Sequence, residues 1–232
     1  MDKFTRLKLI IDKQKYSKLT SSNILIFGLG GVGGYVVEGL VRSGIEKLTL
    51  VDFDKVSLSN FNRQIIADDN SVDKFKTEVF SKRIKAINSK CEVTLIEKFV
   101  LPKDISAMDF SPYHFVIDAI DTITTKIAII QKAKNENIKV ISAMGFGNKF
   151  NPSKIMIGDI TTTSVCPLAK VMRKELKQLG IFDVPVVYST EQPIKPNKKL
   201  TEKNKVIVGS FAPVVATAGM AMAAYVIEEL IK

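Results

Sequence analysis

The residues that first suggest chemistry form a glycine-rich turn, Gly28-Leu-Gly30-Gly31-Val-Gly33. The apolar run NILIF over residues 23–27 precedes the turn and predicts a buried strand, and residues 35–42 follow a helical pattern. A strand, a glycine turn and a helix in this order bring the backbone close to a phosphate and direct helix N–H groups at it. We therefore expect a nucleotide here, although glycines needed only for helix–strand packing give a similar pattern.

A carboxylate stands where such a site needs one. Asp52 lies 19 residues after Gly33 and ends the next predicted strand, over residues 48–51. In this topology a carboxylate at that point accepts hydrogen bonds from ribose hydroxyls. NAD, FAD, S-adenosylmethionine and ATP all use related turns, so the glycines and Asp52 alone leave the nucleotide open.

The stretch after Asp52 is rich in groups that suit a triphosphate. It contains Asp54, the run SNFNRQ with Asn60 and Arg63, and then Lys76. An enzyme that cleaves a triphosphate needs cations to offset the charge on the departing pyrophosphate, whereas hydride transfer needs few. Arg63 and Lys76 together therefore favour ATP, although either cation taken alone is more often a solvated surface residue.

A second acidic pair follows another predicted strand, over residues 115–117. Asp118 and Asp121 would lie at the carboxyl edge of the sheet, where ligands bind in this fold class. Magnesium takes one or two carboxylates together with phosphate oxygens, so Asp121 is a candidate metal ligand. An equally good alternative makes Asp121 the N-cap of a helix over residues 122–135.

The order of elements predicts an α/β fold. Strands and helices alternate through residue 150, which predicts a doubly wound, mostly parallel, Rossmann-like sheet. Residues 1–150 form the nucleotide-binding core with an N-terminal arm, and residues 151–232 form a C-terminal extension of the same domain with mixed strands and helices. Further predicted elements are helices at 73–87, 168–178 and 213–230, strands at 92–96, 140–142, 155–157, 186–188 and 206–211, and a Lys-rich loop at 191–205.

Composition narrows the class of protein. The chain has 232 residues, of which 46% are hydrophobic and 25% are charged, as in ordinary globular proteins. Two cysteines are too few for a disulfide scaffold or a four-cysteine zinc site, and they suggest a reducing cytoplasm.

The charged first residues argue against a signal peptide. Residues 206–227 carry no charge, but Gly209, Pro213 and many small residues favour a core helix over a membrane span.

The net charge of +10 comes from three segments, residues 1–18, 170–177 and 191–205. A basic excess concentrated in this way favours a polyanionic partner. Within the second segment, the cations fall on one face of the predicted helix and are Lys170, Arg173, Lys174 and Lys177. The third segment adds Lys195, Lys198, Lys199, Lys203 and Lys205. From charge alone, nucleic-acid binding and a solvated surface are equally good explanations.

The stretch from the first strand to Gln64 resembles the E1-like, ubiquitin-activating-type family of adenylate-forming enzymes, which includes the activators of sulfur-carrier proteins. The runs VIDAIDT, PLAKVMRKEL and VVYSTEQP resemble more narrowly the tRNA threonylcarbamoyladenosine dehydratase branch of that family. The resemblance extends from about residue 4 to the C-terminus.

The resemblance implies a function and a set of site residues. The glycine loop and Asp52 would hold ATP, Asn60, Arg63 and Lys76 would contact its phosphates, and Asp121 would coordinate Mg²⁺. Arg6 would reach into the site of a partner subunit, so the enzyme would be a homodimer. The substrate would be tRNA carrying N6-threonylcarbamoyladenosine. Its carboxylate would attack the α-phosphate of ATP, and the acyl-adenylate would then close to a ring and release AMP. The basic segments would contact the tRNA.

The chain also departs from the family. It lacks the two CxxC pairs that hold zinc in many sulfur-carrier activators, and Cys166 stands where the dehydratase branch usually has an aspartate. We expect Cys166 to be a neutral substitution, with a reactive thiol as the alternative, and we expect Cys91 and His114 to be structural. The main alternative function is adenylation of a ubiquitin-like sulfur carrier, and a sulfur-relay protein is a further possible partner. A nucleotide-gated scaffold and a dehydrogenase fit the cations and the glycine motif less well.

Overall fold

The computed structural model describes residues 2–198, 200–202 and 205–232. Within them, a sheet of seven strands has the order β3-β2-β1-β4-β5-β7-β6. All neighbours pair in parallel except β6 and β7, which are antiparallel. The strands are β1 Asn23–Phe27, β2 Lys47–Val51, β3 Glu92–Ile96, β4 Phe115–Asp118, β5 Lys139–Ala143, β6 Ile155–Asp159 and β7 Pro185–Ser189.

Helices cover both faces of this sheet. They are α1 Lys13–Ser21, α2 Gly33–Arg42, α3 Lys76–Ile87, α4 Pro102–Ala107, α5 Ile123–Asn135, α6 Pro167–Gln178 and α7 Ala212–Ile231. One hydrophobic cluster joins α1, α2, α3 and α7 to the first face, and a second cluster joins α4, α5 and α6 to the other. The predicted doubly wound, mostly parallel sheet is therefore confirmed, and its C-terminal side carries the mixed strands.

The first strand shows why no polar–apolar alternation is seen in its sequence. In β1, Ile24 and Ile26 belong to one cluster, whereas Leu25 and Phe27 belong to the other. A central parallel strand that is covered on both faces is apolar throughout. His114 lies just before β4, and its Nδ1 accepts a hydrogen bond of 3.0 Å from the backbone N–H of Asn23. This contact is the structural role expected for it.

The last helix, α7, is long and apolar enough to cross a membrane by length and composition alone. It nevertheless lies against the first face of the sheet and against α2, and its buried residues belong to that cluster. The close approach to α2 depends on small residues, because a Cβ atom on Gly219 would lie 2.5 Å from the carbonyl oxygen of Val32. The uncharged stretch is therefore a core helix, as its composition predicts.

Several predicted boundaries are wrong. The helix expected from residue 73 begins at Lys76, because Asp73 adopts a left-handed backbone conformation with φ of 63°. Of the strand expected over 206–211, only Val206 takes part in strand pairing among the described residues, and Val206, Ile207 and Val208 are exposed rather than buried. Instead, a short hairpin of β8 Thr201–Glu202 and β9 Lys205–Val206 interrupts the predicted loop at 191–205. Helices α1 and α4 are additional to the prediction.

Candidate active site

The candidate site is a cavity of about 430 Å³ at the carboxyl ends of β1, β2, β4 and β5. The glycine turn lines one side of it with Gly28, Gly30 and Gly31. Gly28 has a φ of +88°, and a Cβ atom there would lie 2.7 Å from the carbonyl oxygen of Ala119. Only glycine accepts that backbone conformation and that approach, so the turn can expose its N–H groups to the cavity.

Gly33 has a different role from the other glycines of the turn. It lies outside the cavity lining and begins α2, where a Cβ atom would be only 1.9 Å from the carbonyl oxygen of Gly28. The glycine at this position lets the helix start directly against the turn. Gly33 therefore shapes the site, and its contact with the nucleotide stays a prediction.

Asp52 lies at the end of β2 and faces the cavity. One carboxylate oxygen accepts a hydrogen bond of 2.6 Å from the backbone N–H of Leu29, and the other accepts one of 2.8 Å from that of Asp54. Burial raises the pKa of Asp52, and the Lys76 ammonium and the two backbone donors partly offset this effect. The carboxylate is thus fixed between the glycine turn and the next loop, with room in the cavity for a further donor.

A cation lies next to this carboxylate. Lys76 is the first residue of α3, and its side chain is almost completely buried. Its Nζ atom donates to Oδ2 of Asp54 over 2.7 Å, and its backbone N–H donates to the carbonyl oxygen of the same residue over 3.0 Å. Asp54 therefore holds the ammonium group at the cavity, where both residues are part of the lining.

Arg63 supplies the second cation of the lining. Its Nη1 atom donates to the carbonyl oxygen of Ser59 over 2.7 Å and to Oδ1 of Asn62 over 3.1 Å. These bonds fix the guanidinium group and leave other N–H groups for a ligand. Asn60 lies outside the lining, because its amide oxygen accepts from the backbone N–H of Ser57 and closes a short 3₁₀ turn. In this structure Asn60 supports the loop that carries Arg63.

The two aspartates after β4 have separate environments. Asp118 is fully buried and pairs with the fully buried Lys126, with 2.8 Å between Oδ2 and Nζ. Lys126 also donates to the carbonyl oxygens of Ile120 and Ala143, two residues of the cavity wall. Asp121, in contrast, is exposed and lines the cavity. Thr122 is the N-cap of α5, so Asp121 is not the N-cap and remains the candidate metal ligand.

Arg6 is not among the residues that line this cavity. It precedes a 3₁₀ turn in the N-terminal arm, and nearby Lys3 donates to the carbonyl oxygen of Ile87 at the end of α3. Asp2 and Lys8 of the arm also line a second cavity beside Glu46, which precedes β2. The arm therefore packs at the amino edge of the strands, opposite the candidate site.

A family model for the ThiF family matches residues 3–232 of this chain. The chain belongs to the ThiF family. Within it, tRNA threonylcarbamoyladenosine dehydratase of Haemophilus influenzae is 35% identical and aligns over 93% of this chain and 88% of its own length. The dehydratase of Bacillus subtilis is 34% identical over 100% of this chain and 96% of its own length.

Solved structures of this ThiF-family branch share the fold. The Escherichia coli tRNA N6-threonylcarbamoyladenosine dehydratase in complex with ATP is 30% identical, with a TM-score of 0.90. The match covers 98% of this chain and 93% of that chain. The same enzyme has been solved with AMP, with a TM-score of 0.89. The sequence-based resemblance to this family and branch is confirmed.

The cations expected to meet RNA are not all equivalent in this ThiF-family member. Lys170, Lys174 and Lys177 are exposed on α6, as are Lys195 and Lys198 in the following loop. Arg173 turns inward, because its Nη1 atom donates to the carbonyl and hydroxyl oxygens of Thr163. Lys199 and Lys203 lie outside the described residues. The exposed cations of α6 are thus all lysines.

The structure adds residues to the site that the sequence analysis gave no role, and it locates the two cysteines. Phe53 and Phe99 form a T-shaped pair at the cavity, with ring centroids 4.7 Å apart, and both are about half exposed. Cys166 is buried at the N-cap of α6, where its thiol contacts the carbonyl oxygen of Gly145 in the cavity wall. Cys91 is buried in the core, and burial raises its pKa to about 12, so its structural role is as expected. Lys126 and Gln64 are the other additions.

Proposed function

We propose that this protein uses ATP to dehydrate N6-threonylcarbamoyladenosine in tRNA to a cyclic product. The reaction has two steps: adenylation of the threonyl carboxylate, and ring closure within the modified nucleoside with release of AMP. The observation that carries the proposal is one cavity that holds the glycine turn, Asp52, Arg63, Lys76 and Asp121 together. The fold around that cavity is shared with a dehydratase solved with ATP.

The lining suggests how ATP would lie. The carboxylate of Asp52 would accept hydrogen bonds from ribose hydroxyls, and the backbone N–H groups of Gly30 and Gly31, which also line the cavity, would donate to the phosphates. Lys76 and Arg63 would offset the negative charge that develops on the departing pyrophosphate. Both cations are already fixed by Asp54 and Ser59, so little reorganisation is needed when that charge appears.

Asp121 fits a magnesium ion. It is an exposed carboxylate on the cavity wall, and oxygen ligands of this kind, together with phosphate oxygens, are what Mg²⁺ prefers. A bound Mg²⁺ would neutralise phosphate charge and would orient the phosphate chain. Among the described residues no group of three or more acidic, histidine or cysteine side chains comes together, so Asp121 would share the ion with ATP.

The substrate would approach from the opposite side of the cavity. There the wall is formed by uncharged residues, among them Phe146, Gly147, Leu168 and Val208. A carboxylate oxygen of the substrate would attack the α-phosphorus as the bond to pyrophosphate breaks. The carbamoyl group of the same substrate would then attack the activated carbonyl, lose a proton and expel AMP. Because ring closure is intramolecular, the chain needs no cysteine nucleophile, and the buried Cys166 is compatible with this route.

We further propose a homodimer in which Arg6 acts in the partner's site. Arg6 lies at the amino edge of the sheet and cannot serve the cavity of its own chain. The next turn of the arm exposes two large apolar side chains, Leu9 and Ile10, which are 80% and 79% exposed. Exposed apolar residues beside an unused arginine suit contact with a second copy.

Lysine side chains would supply the tRNA contacts. Lys170, Lys174 and Lys177 on α6, together with the lysines of the 195–205 loop, would neutralise backbone phosphates, so binding should weaken steeply as salt is added. We also propose a cytoplasmic location, where tRNA is available, and a sulfur-relay or carrier protein as an additional partner.

The test is mass spectrometry of tRNA nucleosides. Purified protein is incubated with ATP, Mg²⁺ and tRNA that carries threonylcarbamoyladenosine, and the nucleoside should lose the mass of one water molecule. Asp121→Ala should abolish that loss, whereas Asp109→Ala, in an exposed turn away from the cavity, should leave it unchanged. AMP release only upon addition of a glycine-tailed carrier protein would instead indicate a sulfur-carrier activator. Nucleotide binding without turnover in either assay would indicate a scaffold.

A further inference from the structure

Gln64 lines the cavity and has a buried side-chain atom without a hydrogen-bond partner among the described residues. Its side chain lines the candidate site, and the residue is only 6% exposed. Its Oε1 atom is buried and has no hydrogen-bond partner among the described residues. Native proteins pair nearly all buried polar side-chain atoms, so an unpaired amide oxygen beside a ligand cavity indicates that this amide changes its orientation when a ligand binds.

The backbone around Gln64 is rigid, so the side chain cannot simply withdraw. Its N–H donates to the carbonyl oxygen of Asn60 over 2.9 Å, and its own carbonyl oxygen accepts from Ala67 over 3.0 Å. The residues on either side pack along the glycine turn. The Cγ atom of Arg63 would be 3.5 Å from a Cβ atom on Gly31. The Cγ2 atom of Ile65 would likewise be 3.5 Å from a Cβ atom on Gly34, the second residue of α2.

This placement assigns Gln64 to the phosphate end of the cavity. Arg63 and Lys76 lie in the same part of the lining, and the glycine turn adds backbone N–H groups. All of these groups are donors, as an anion requires. An amide contributes to such a set when it rotates by half a turn, because rotation places its N–H groups where the oxygen was.

We propose that the side-chain amide of Gln64 binds the β- or γ-phosphate of ATP. The inference rests on the proposed function only in that ATP is the nucleotide. Without a ligand the unpaired amide oxygen is a cost to the folded protein, and that cost is relieved when the amide rotates and its N–H groups donate to phosphate oxygens. The unpaired amide would thus destabilise the protein without nucleotide, and the same amide would favour binding of a triphosphate over a monophosphate.

Two variants and one control test it. Gln64→Leu keeps the size of the side chain and removes its polar atoms. Gln64→Glu keeps the shape and replaces the donor by a negative charge. Gln131→Leu, at a half-exposed position of α5 outside the cavity, is the matched control. Affinities for ATP and for AMP are measured by calorimetry in the absence of tRNA, together with the melting temperature of each protein without nucleotide.

Gln64→Leu should weaken ATP binding about tenfold, the effect of one lost hydrogen bond to a charged group, and should leave AMP binding within about twofold. Its melting temperature without nucleotide should equal or exceed that of the wild type, because no buried amide is left unpaired. Gln64→Glu should weaken ATP binding further, and AMP binding much less. The control should bind both nucleotides normally.

Three results would overturn the proposal. Equal losses for ATP and AMP would place the amide at the ribose or the α-phosphate, and unchanged ATP binding in both variants would make Gln64 purely structural. A lower melting temperature with unchanged nucleotide discrimination would likewise leave Gln64 with a structural role alone. If the wild type converts the tRNA but both variants bind ATP normally, only this inference fails. If the wild type does not bind ATP, the proposed function fails.

Discussion

At the residue scale, the buried ion pair of Lys126 and Asp118 is the support of the cavity wall. Both side chains are fully buried, and Ser142 donates a further hydrogen bond of 2.5 Å to Asp118. Lys126 joins the carboxylate to the carbonyl oxygens of Ile120 and Ala143, so one ammonium group ties the ends of β4 and β5 together. Removing one partner leaves an uncompensated charge in a region that water does not reach.

Lys126→Met should therefore lower the free energy of unfolding by about 3–5 kcal/mol, measured by urea denaturation. The double variant Lys126→Met with Asp118→Asn should recover part of the loss, because neither charge remains buried alone. Lys134→Met, on the same helix with an exposed partner, should change stability by no more than about 1 kcal/mol. Equal losses of unfolding free energy at Lys126 and Lys134 would show that burial of the Lys126–Asp118 pair has no special effect on stability.

The residues of the candidate site show how much of it could be predicted from the sequence. Asp52, Arg63, Lys76 and Asp121 could be predicted, because the order of strands and loops places them at one edge of a parallel sheet. Lys126 could not, since a lysine in a helix is normally solvated, and only tertiary packing shows that this one is buried. The distinct roles of Gly33 and Asn60 also depend on local packing that spacing does not determine.

At the element scale, Glu38 connects the helix of the glycine turn to its neighbour. It lies on α2, is buried, and accepts hydrogen bonds from Arg83 of α3 and Arg42 of its own helix. Burial alone would raise the pKa of Glu38, but the two guanidinium groups outweigh that effect and lower it. Because both α2 and α3 begin at the candidate site, this contact fixes the relative position of the glycine turn and Lys76.

Glu38→Gln should lower the free energy of unfolding near neutral pH by about 1–2 kcal/mol, a value reduced by the solvent access of both arginines. A carboxylate with a lowered folded-state pKa stabilises the protein above its unfolded pKa of about 4.3. That stability is lost as pH falls through the folded-state value. Denaturant titrations of both proteins should therefore converge in acid. A difference that stays constant with pH would show that ionisation of Glu38 contributes nothing.

Elements differed in how well they could be predicted. Strands such as β1 and β4 are short apolar runs buried on both faces, so their composition is sufficient to predict them from the sequence. Helix α1 buries only Leu19, which leaves no apolar stripe for a pattern to detect. The hairpin of β8 and β9 follows from local backbone pairing in a polar, Lys-rich segment, and its exposed neighbours Ile207 and Val208 resembled a buried strand in sequence.

At the scale of the whole molecule, the N-terminal arm and the candidate site lie at opposite edges of one sheet. The contact of Lys3 with the end of α3 holds the arm at the amino edge, whereas Asp121 lies at the carboxyl edge. If Arg6 acts in catalysis, geometry requires it to act on a second copy. A closed dimer with twofold symmetry would then place each arginine in the opposite site.

A mixture of two inactive variants tests this arrangement. Arg6→Ala and Asp121→Ala are each expected to be inactive, but a mixed dimer has one site with an intact Asp121 and the Arg6 of the partner. After unfolding and refolding together in equal amounts, about half of the dimers are mixed and have one working site of two, so about a quarter of wild-type activity should return. Native mass spectrometry verifies that mixed dimers form. Arg6→Ala mixed with itself is the control and should stay inactive. Mixed dimers without activity, or full activity of Arg6→Ala alone, would remove Arg6 from the partner's site.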